Sequence, residues 1–387
     1  MQRPRPPSFS ALSAHAAAAK DWLFHAALPL WWYAGFDRNA RCFFESLGPD
    51  GRPLSGLRRV RAQARQTFVY AAAGRLGWPG PWREAASAGA KVLTERCLLK
   101  HGGTPHLLGD DGNAHDARPD LYDAAFVIFA LAHAGRALER DDLIGASIAL
   151  ADWVHETWAH PLGGLREGDV APTPPRRQNP HMHLFEAMLA LYEITGDARH
   201  LERARAIATL VRTRFISPRW NALLEFFNDD WTPRDGDEGR ITGPGHQFEW
   251  AWLLSCYRGA SGEDTSDLIA RLHAHGETHG VDAAGFAVDE TWADGGVRVS
   301  TSRLWPNTER LKANLVLFEE SGSEAHAAAA LQACEALKAY LTPQGFWRDR
   351  RQIDGGFIPE PAPASSFYHI ILAYAELLRV TGALAAA

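Results

Sequence analysis

The 387-residue sequence has little cysteine and no cysteine pairs: Cys42, Cys97, Cys256 and Cys334 are widely spaced and form no CxxC. That excludes a zinc ribbon and a disulfide scaffold, and it makes the reducing cytoplasm the expected setting. No stretch reaches about 18 uninterrupted apolar residues, so no membrane span is expected. The opening MQRPRPPSFSALSAHAAAAK has early arginines but leads into no unbroken apolar core, because His15, Lys20, Asp21 and His25 punctuate the region; an export signal is not expected. Positive charge is not in excess either. The formal net charge is -6 with both signs interspersed, which leaves neither a basic stripe for nucleic acid nor a polybasic segment for a membrane surface. GxGxxG, GxxxxGK[ST] and HExxH are all absent, so no nucleotide cofactor and no catalytic metal are expected. No linker rich in Pro, Gly and Ser divides the chain, and a single catalytic domain over 1–387 is expected. A homodimer is compatible with the sequence.

Helices, by contrast, are plentiful. Apolar residues at i, i+3, i+4 and i+7 predict twelve helical segments, near 8–34, 57–76, 81–99, 119–139, 141–158, 180–195, 197–215, 244–259, 263–279, 306–321, 323–341 and 363–382. The connections alternate. Links after even-numbered segments are short, as in LERDD and ITGDAR; links after odd-numbered ones are long and hairpin-like, as in NALLEFFNDDWTPRDGDEGRITG. Pro119, Pro180, Pro244, Pro306 and Pro363 mark the starts of even-numbered segments, where proline sacrifices no helical hydrogen bond. Six pairs with this alternation are most economically closed into an all-α (α/α)6 barrel with the even helices inside and the long loops at one end. An open solenoid is the competing arrangement.

The even segments carry polar residues where core is expected: Arg61 and Arg65, then Asp120, Tyr122 and Asp123, then Asn179, His183 and Glu186, then His246 and Glu249, then Glu309 and Lys312, and finally His369. Residues 179, 183 and 186 fall within about 60° on a helical wheel. Each of these has an ordinary structural explanation taken singly, such as an N-cap for Asn179 or an Asp partner for Arg61 and Arg65. Together they describe a polar cavity, since uncompensated burial of so many polar groups costs several kcal/mol. Imidazoles that can take and return a proton, a guanidinium to hold an oxyanion, and the loop tryptophans Trp231, Trp292, Trp305 and Trp347 suit a monosaccharide and a proton transfer next to its carbonyl. Two loop clusters, Arg176 with Arg177 and Arg348 with Arg350 and Arg351, are candidates to grip a sugar phosphate. Pairing with Asp229, Asp235 and Asp354 is the alternative, and the expected one.

The series RVRAQAR, PDLYDAAF, NPHMHLFEA, GPGHQFEWAWLL, WPNTERLKA and FYHI resembles the N-acylglucosamine 2-epimerase superfamily, which includes mannose isomerases and cellobiose 2-epimerases, over roughly residues 20–380. The resemblance implies an (α/α)6 barrel that works without metal or organic cofactor. It implies that His369 is the acid/base at C2 and that His246 is the second one. It implies further that Arg65 holds the enediolate oxygens, that Asn179, His183 and Glu249 bind or open the sugar, and that Tyr122, Trp305 and Glu309 lie at pocket positions. Glu186 is expected to orient its neighbours. Mannose–fructose isomerisation is the preferred activity. Sugar 2-epimerisation, isomerisation of mannose 6-phosphate, glycoside hydrolysis on the same barrel and a non-catalytic binding module remain open.

Overall fold

In the computed structural model, which describes residues 7–383, all twelve predicted segments are helices. The proline-rich start and the alanine tail fall partly outside the described residues. Helix α1 runs over residues 7–33 and is interrupted by a π turn at Leu23–Ala27. The others are α2 (Val60–Arg75), α3 (Trp82–Arg96), α4 (Leu121–Leu138), α5 (Asp141–Thr157), α6 (Gln178–Thr195), α7 (Ala198–Leu210, continued by a second π turn), α8 (Pro244–Ser261), α9 (Ser266–His279), α10 (Leu304–Ser321), α11 (Glu324–Tyr340) and α12 (Ser366–Thr381).

The even helices form a ring. Each packs on the next, α2 on α4 and so on to α12, and α12 returns to α2; the odd helices pack outside, and one apolar cluster runs through both layers. The predicted prolines sit where expected, in or just before the first turn of an inner helix. Helix α4 is long and apolar enough to cross a membrane, but Asp123 and Arg136 interrupt it and most of it is buried in the ring.

The loops close a second ring above the first. The strand that leads into each inner helix pairs with the loop that precedes the next one: Arg58–Arg59 with Leu107–Leu108, Arg176–Arg177 with Phe226–Phe227, Ile241–Thr242 with Glu290–Trp292, and Ser302–Arg303 with Arg350–Arg351. An Asp120–Gly168 bridge fills the remaining step, and Ala362–Pro363 pairs back with Ser46–Leu47. Both rings close, so the open solenoid is excluded.

Five of the six loops are fastened to their helices by a recurring device, and α4 is capped instead by its own Asp120. A residue with positive φ, namely Arg41, Gly163, Asn221, Gly285 or Gly345, is followed four positions later by an acid: Glu45, Glu167, Glu225, Asp289 or Asp349. The acid then reaches the start of an inner helix. Glu45, Glu167, Glu225 and Asp289 accept the backbone N–H of Arg59, Arg177, Gly243 and Arg303, and Asp349 accepts from the Ser366 hydroxyl. Buried donors at a helix start need such acceptors, so the device fixes where the loops sit over the barrel.

Candidate active site

A cavity of about 260 Å³ opens where the inner helices begin. It lies just below the range of about 300–1,000 Å³ common for drug-sized ligands, which points to a small one. Its wall includes Arg65, Tyr122, Asn179, His183, His246, Glu249, Trp305 and His369. Eight of the nine residues that the resemblance places at catalytic or pocket positions therefore meet. Glu309 does not reach the wall. It is fully buried behind His369, so its expected contact with the ligand is corrected to support of the imidazole.

His369 stands in the first turns of α12 and donates from Nδ1 to Glu309 Oε1 at 2.8 Å. Burial pushes the Glu309 carboxyl up, but the Lys312 ammonium, 2.6 Å away, and His369 outweigh this and hold it below its ordinary range. An ionised acceptor on Nδ1 leaves Nε2 as the unprotonated nitrogen. Burial also lowers the His369 value to about 4 despite Glu309, so the ring is neutral at pH 7.

His246, the third residue of α8, is built the same way. Glu225 accepts from its Nδ1 at 2.8 Å, from the Gly243 N–H at 3.1 Å and from the Gln178 amide at 2.9 Å. Trp305 lies between the two imidazoles, with ring centroids 4.9 Å from His246 and 5.5 Å from His369. Gly245 makes this possible. A Cβ there meets the Trp305 ring at 2.5 Å and Pro306 at 3.0 Å, so Gly245→Ala is expected to displace the tryptophan. The expected cost is about 1–3 kcal/mol of stability and a roughly tenfold to hundredfold loss of turnover, read by thermal melting beside steady-state kinetics.

Arg65 is held by the Ser365 carbonyl at 3.3 Å and the Tyr122 hydroxyl at 2.9 Å, with its guanidinium over Phe126 at 4.1 Å. Arg61, unlike Arg65, takes the predicted aspartate partner, Asp123, at 3.1 Å. Asp120 caps α4. Asn179 is no cap: it is the second residue of α6, and its buried Oδ1 has no partner among the described residues. Glu249 is 1% exposed with both oxygens unpartnered among the described residues. Burial, reinforced by nearby Glu309, holds its carboxyl well above the usual range, toward the protonated form. Glu186 lies beneath the wall as expected, bonded to the Tyr368 hydroxyl and to His183 at 3.3 Å; burial raises it to about 7.

Ligand atoms of Glu249, Glu309 and His369 come within 4.8 Å of one another, the spacing of a metal site. The cation that these groups face is Lys312, fully buried over Trp252 at 3.8 Å. A second cavity of about 320 Å³ lies at the far end of the inner helices, walled mainly by apolar side chains, and of the site residues touches only Glu186.

Other expectations change. Of the four loop tryptophans only Trp305 lines the site. Trp231 is buried with its N–H on the Gly163 carbonyl, and Trp347 is stacked on Trp31. The loop arginines lie elsewhere, and of the carboxylates named as their expected partners only Asp229 takes one. Arg176 pairs with Asp229, Arg177 with Glu167, Arg350 with Glu360 and Arg351 with Asp282, while Arg348 lies over Phe357. Arg59, Arg303, Ser365 and Ser366, not singled out from the sequence, do line the cavity.

Buried neutral histidines carry a pH signature. His369 and His181 are lowered to about 4 and His133 to about 3, each chiefly by burial. Below about pH 6.5 the unfolded chain takes up protons that the native one refuses, so stability falls from there toward pH 4. Each ring lowered to about 4 withdraws on the order of 2 kcal/mol of stability by pH 5. Urea denaturation at pH 7.5 and pH 5 should show the lower midpoint at pH 5.

The family model described as N-acylglucosamine 2-epimerase (GlcNAc 2-epimerase) matches residues 42–373. A protein named mannose-6-phosphate isomerase from Rhizobium meliloti (strain 1021) is 43% identical over 94% of this chain and 96% of its own. A D-mannose isomerase from Thermobifida fusca is 30% identical over 89% of each chain. The solved structure of cellobiose 2-epimerase from Bacillus thermoamylovorans B4167 superimposes with a TM-score of 0.86 at 19% identity, covering 95% of this chain and 100% of that one. The chain, an (α/α)6 barrel with two carboxylate-backed histidines facing one cavity, belongs to the N-acylglucosamine 2-epimerase family and is an enzyme of the sugar isomerase and epimerase class.

Proposed function

We propose that the protein interconverts an aldose and its 2-ketose in the mannose and fructose series, by moving a proton between C2 and C1 through a cis-enediolate. The observation that carries this is the pair of imidazoles, each anchored at Nδ1 by a glutamate and each facing the same small cavity. His369 Nε2 takes the C2 proton of the open-chain aldose. The electron pair left on C2 forms the C1–C2 double bond, and charge moves onto the C1 oxygen beside Arg65. The fixed guanidinium stabilises that charge where it develops. Protonated Glu249 supplies a hydrogen bond to a substrate oxygen, and Asn179 Oδ1 accepts from a hydroxyl. The hydroxyl proton on the C2 oxygen then passes to the C1 oxygen, the C2–O bond becomes the ketone carbonyl, and the electron pair of the C1–C2 double bond takes the proton back from His369 Nε2 at C1. His246 opens the ring by taking the anomeric hydroxyl proton and returning it to the ring oxygen.

Relatives named mannose-6-phosphate isomerase and D-mannose isomerase support the mannose series. Epimerisation at C2 is the second reading, favoured by His246 on the other side of Trp305, from which it could serve the opposite face of the carbon. Glycoside hydrolysis fits less well, because it needs two carboxyl groups flanking the bond and only Glu249 lines the wall. Proton NMR of mannose and mannose 6-phosphate with the enzyme in deuterated water is the test. A ketose supports isomerisation, an epimer deuterated at C2 supports epimerisation, and unchanged sugar in both samples refutes both.

A further inference from the structure

We infer that the substrate is anionic and carries a phosphate monoester at the end remote from C1 and C2, and that Arg59 and Arg303 hold it across the first turn of α12. The inference rests on the aldose reading of the same cavity and specifies the substrate class.

The charge on the wall supports it. Four guanidinium groups, Arg59, Arg61, Arg65 and Arg303, line a space of about 260 Å³. The carboxylates paired with three of them, Glu45, Asp123 and Asp349, are absent from that wall and engage one edge of each fork. The one carboxyl on the described wall is Glu249, which is buried and unpartnered among the described residues. A neutral sugar therefore leaves several charged donor edges facing a small cavity with no anion among them. Phosphate oxygens match the forked geometry of arginine.

Position agrees with charge. Arg59 Nη2 is 3.5 Å from the Ser365 hydroxyl, Ser366 donates to Asp349 at 3.1 Å, and Asp349 accepts from Arg303 Nε at 3.1 Å. These groups form a continuous arc over the start of α12. Among the described residues nothing accepts from Nη1 of Arg59 or from Nη1 and Nη2 of Arg303. His369 follows Ser366 by three residues, about one turn or roughly 5 Å along the axis, so a hexose with C2 at His369 places its far end at the arc.

The test compares mannose 6-phosphate with mannose. The wild-type enzyme is expected to prefer the phosphorylated sugar by at least about a hundredfold in kcat/KM. Arg303→Gln and Arg59→Gln are each expected to lower kcat/KM for mannose 6-phosphate by roughly ten- to hundredfold, chiefly through KM. The preference ratio should fall with it. Arg303→Lys, which keeps the charge and loses the fork, should fall between. Inorganic phosphate should compete with mannose 6-phosphate, less well in Arg303→Gln, with thermal melts confirming that the variants are folded. Equal use of the two sugars, an equal loss for both in the variants, or failure of phosphate to compete overturns the inference. If neither sugar reacts, the isomerase reading fails on its own, and titration calorimetry with inorganic phosphate still decides: binding weakened by Arg303→Gln upholds the anion site, and no binding removes it.

Discussion

Replacing His369 by glutamine is expected to lower kcat by about 10²- to 10⁴-fold while leaving the melting temperature within a few degrees of wild type. Glutamine keeps a polar group near Glu309 but cannot take a proton from carbon. The diagnostic measurement is exchange of the C2 proton with deuterated water, followed by NMR. The variant should bind the sugar and fail to exchange it. If exchange continues at the wild-type rate, another base acts at C2 and the assignment to His369 is wrong. His246→Gln makes a useful comparison: a ring-opening role predicts a smaller deficit with substrate already in the open-chain form, whereas a role at C2 predicts equal deficits.

The second large effect concerns stability. Lys312 is buried with its ammonium 2.6 Å from Glu309, and Glu249 lies close to both. Removing one member of a buried ion pair typically costs about 3–5 kcal/mol, because the other is left uncompensated. Lys312→Met should therefore lose about that much by urea denaturation, with a clear fall in melting temperature. Without the cation, Glu309 and Glu249 compete for a proton; Glu309, once protonated, no longer fixes the tautomer of His369, and activity falls too. Adding Glu249→Gln removes one of the two carboxyls and should restore part of the stability. A double variant no more stable than Lys312→Met would show that the carboxyls do not interact.

Much of this is legible in the chain. Prolines near helix starts and alternating link lengths are local signals, and they place twelve helices and the sense of the barrel correctly. The polar residues on inner faces are legible because each breaks an apolar period that the rest of its helix obeys. What escapes the sequence depends on contacts between distant segments. Glu225 sits in a hairpin and acquires its role only when the loop folds over α8. Its signal is the acid four residues after a left-handed turn position, repeated at Glu45, Glu167, Asp289 and Asp349. Arg59 and Arg303 look like ordinary loop charges because they precede their helices, and nothing local distinguishes them from Arg177, which occupies the same place before α6 yet is absent from the cavity wall. Glu309 is expected on the right helix but one layer too far forward: helical spacing gives the face and not the depth.

All six inner helices run in one direction, and this polarises the molecule lengthwise. Their aligned peptide dipoles place partial positive charge at the mouth and partial negative charge at the floor. At the floor, Arg75, Arg136, Arg258 and Arg379 occupy last turns and offset the negative end. At the mouth the arginines add to the positive end instead. A protein with a formal net charge of -6 thus keeps four guanidinium groups and a single carboxyl, Glu249, on the described wall of its polar cavity, while the loop acids that fasten the helix starts offset the dipoles one layer outside it.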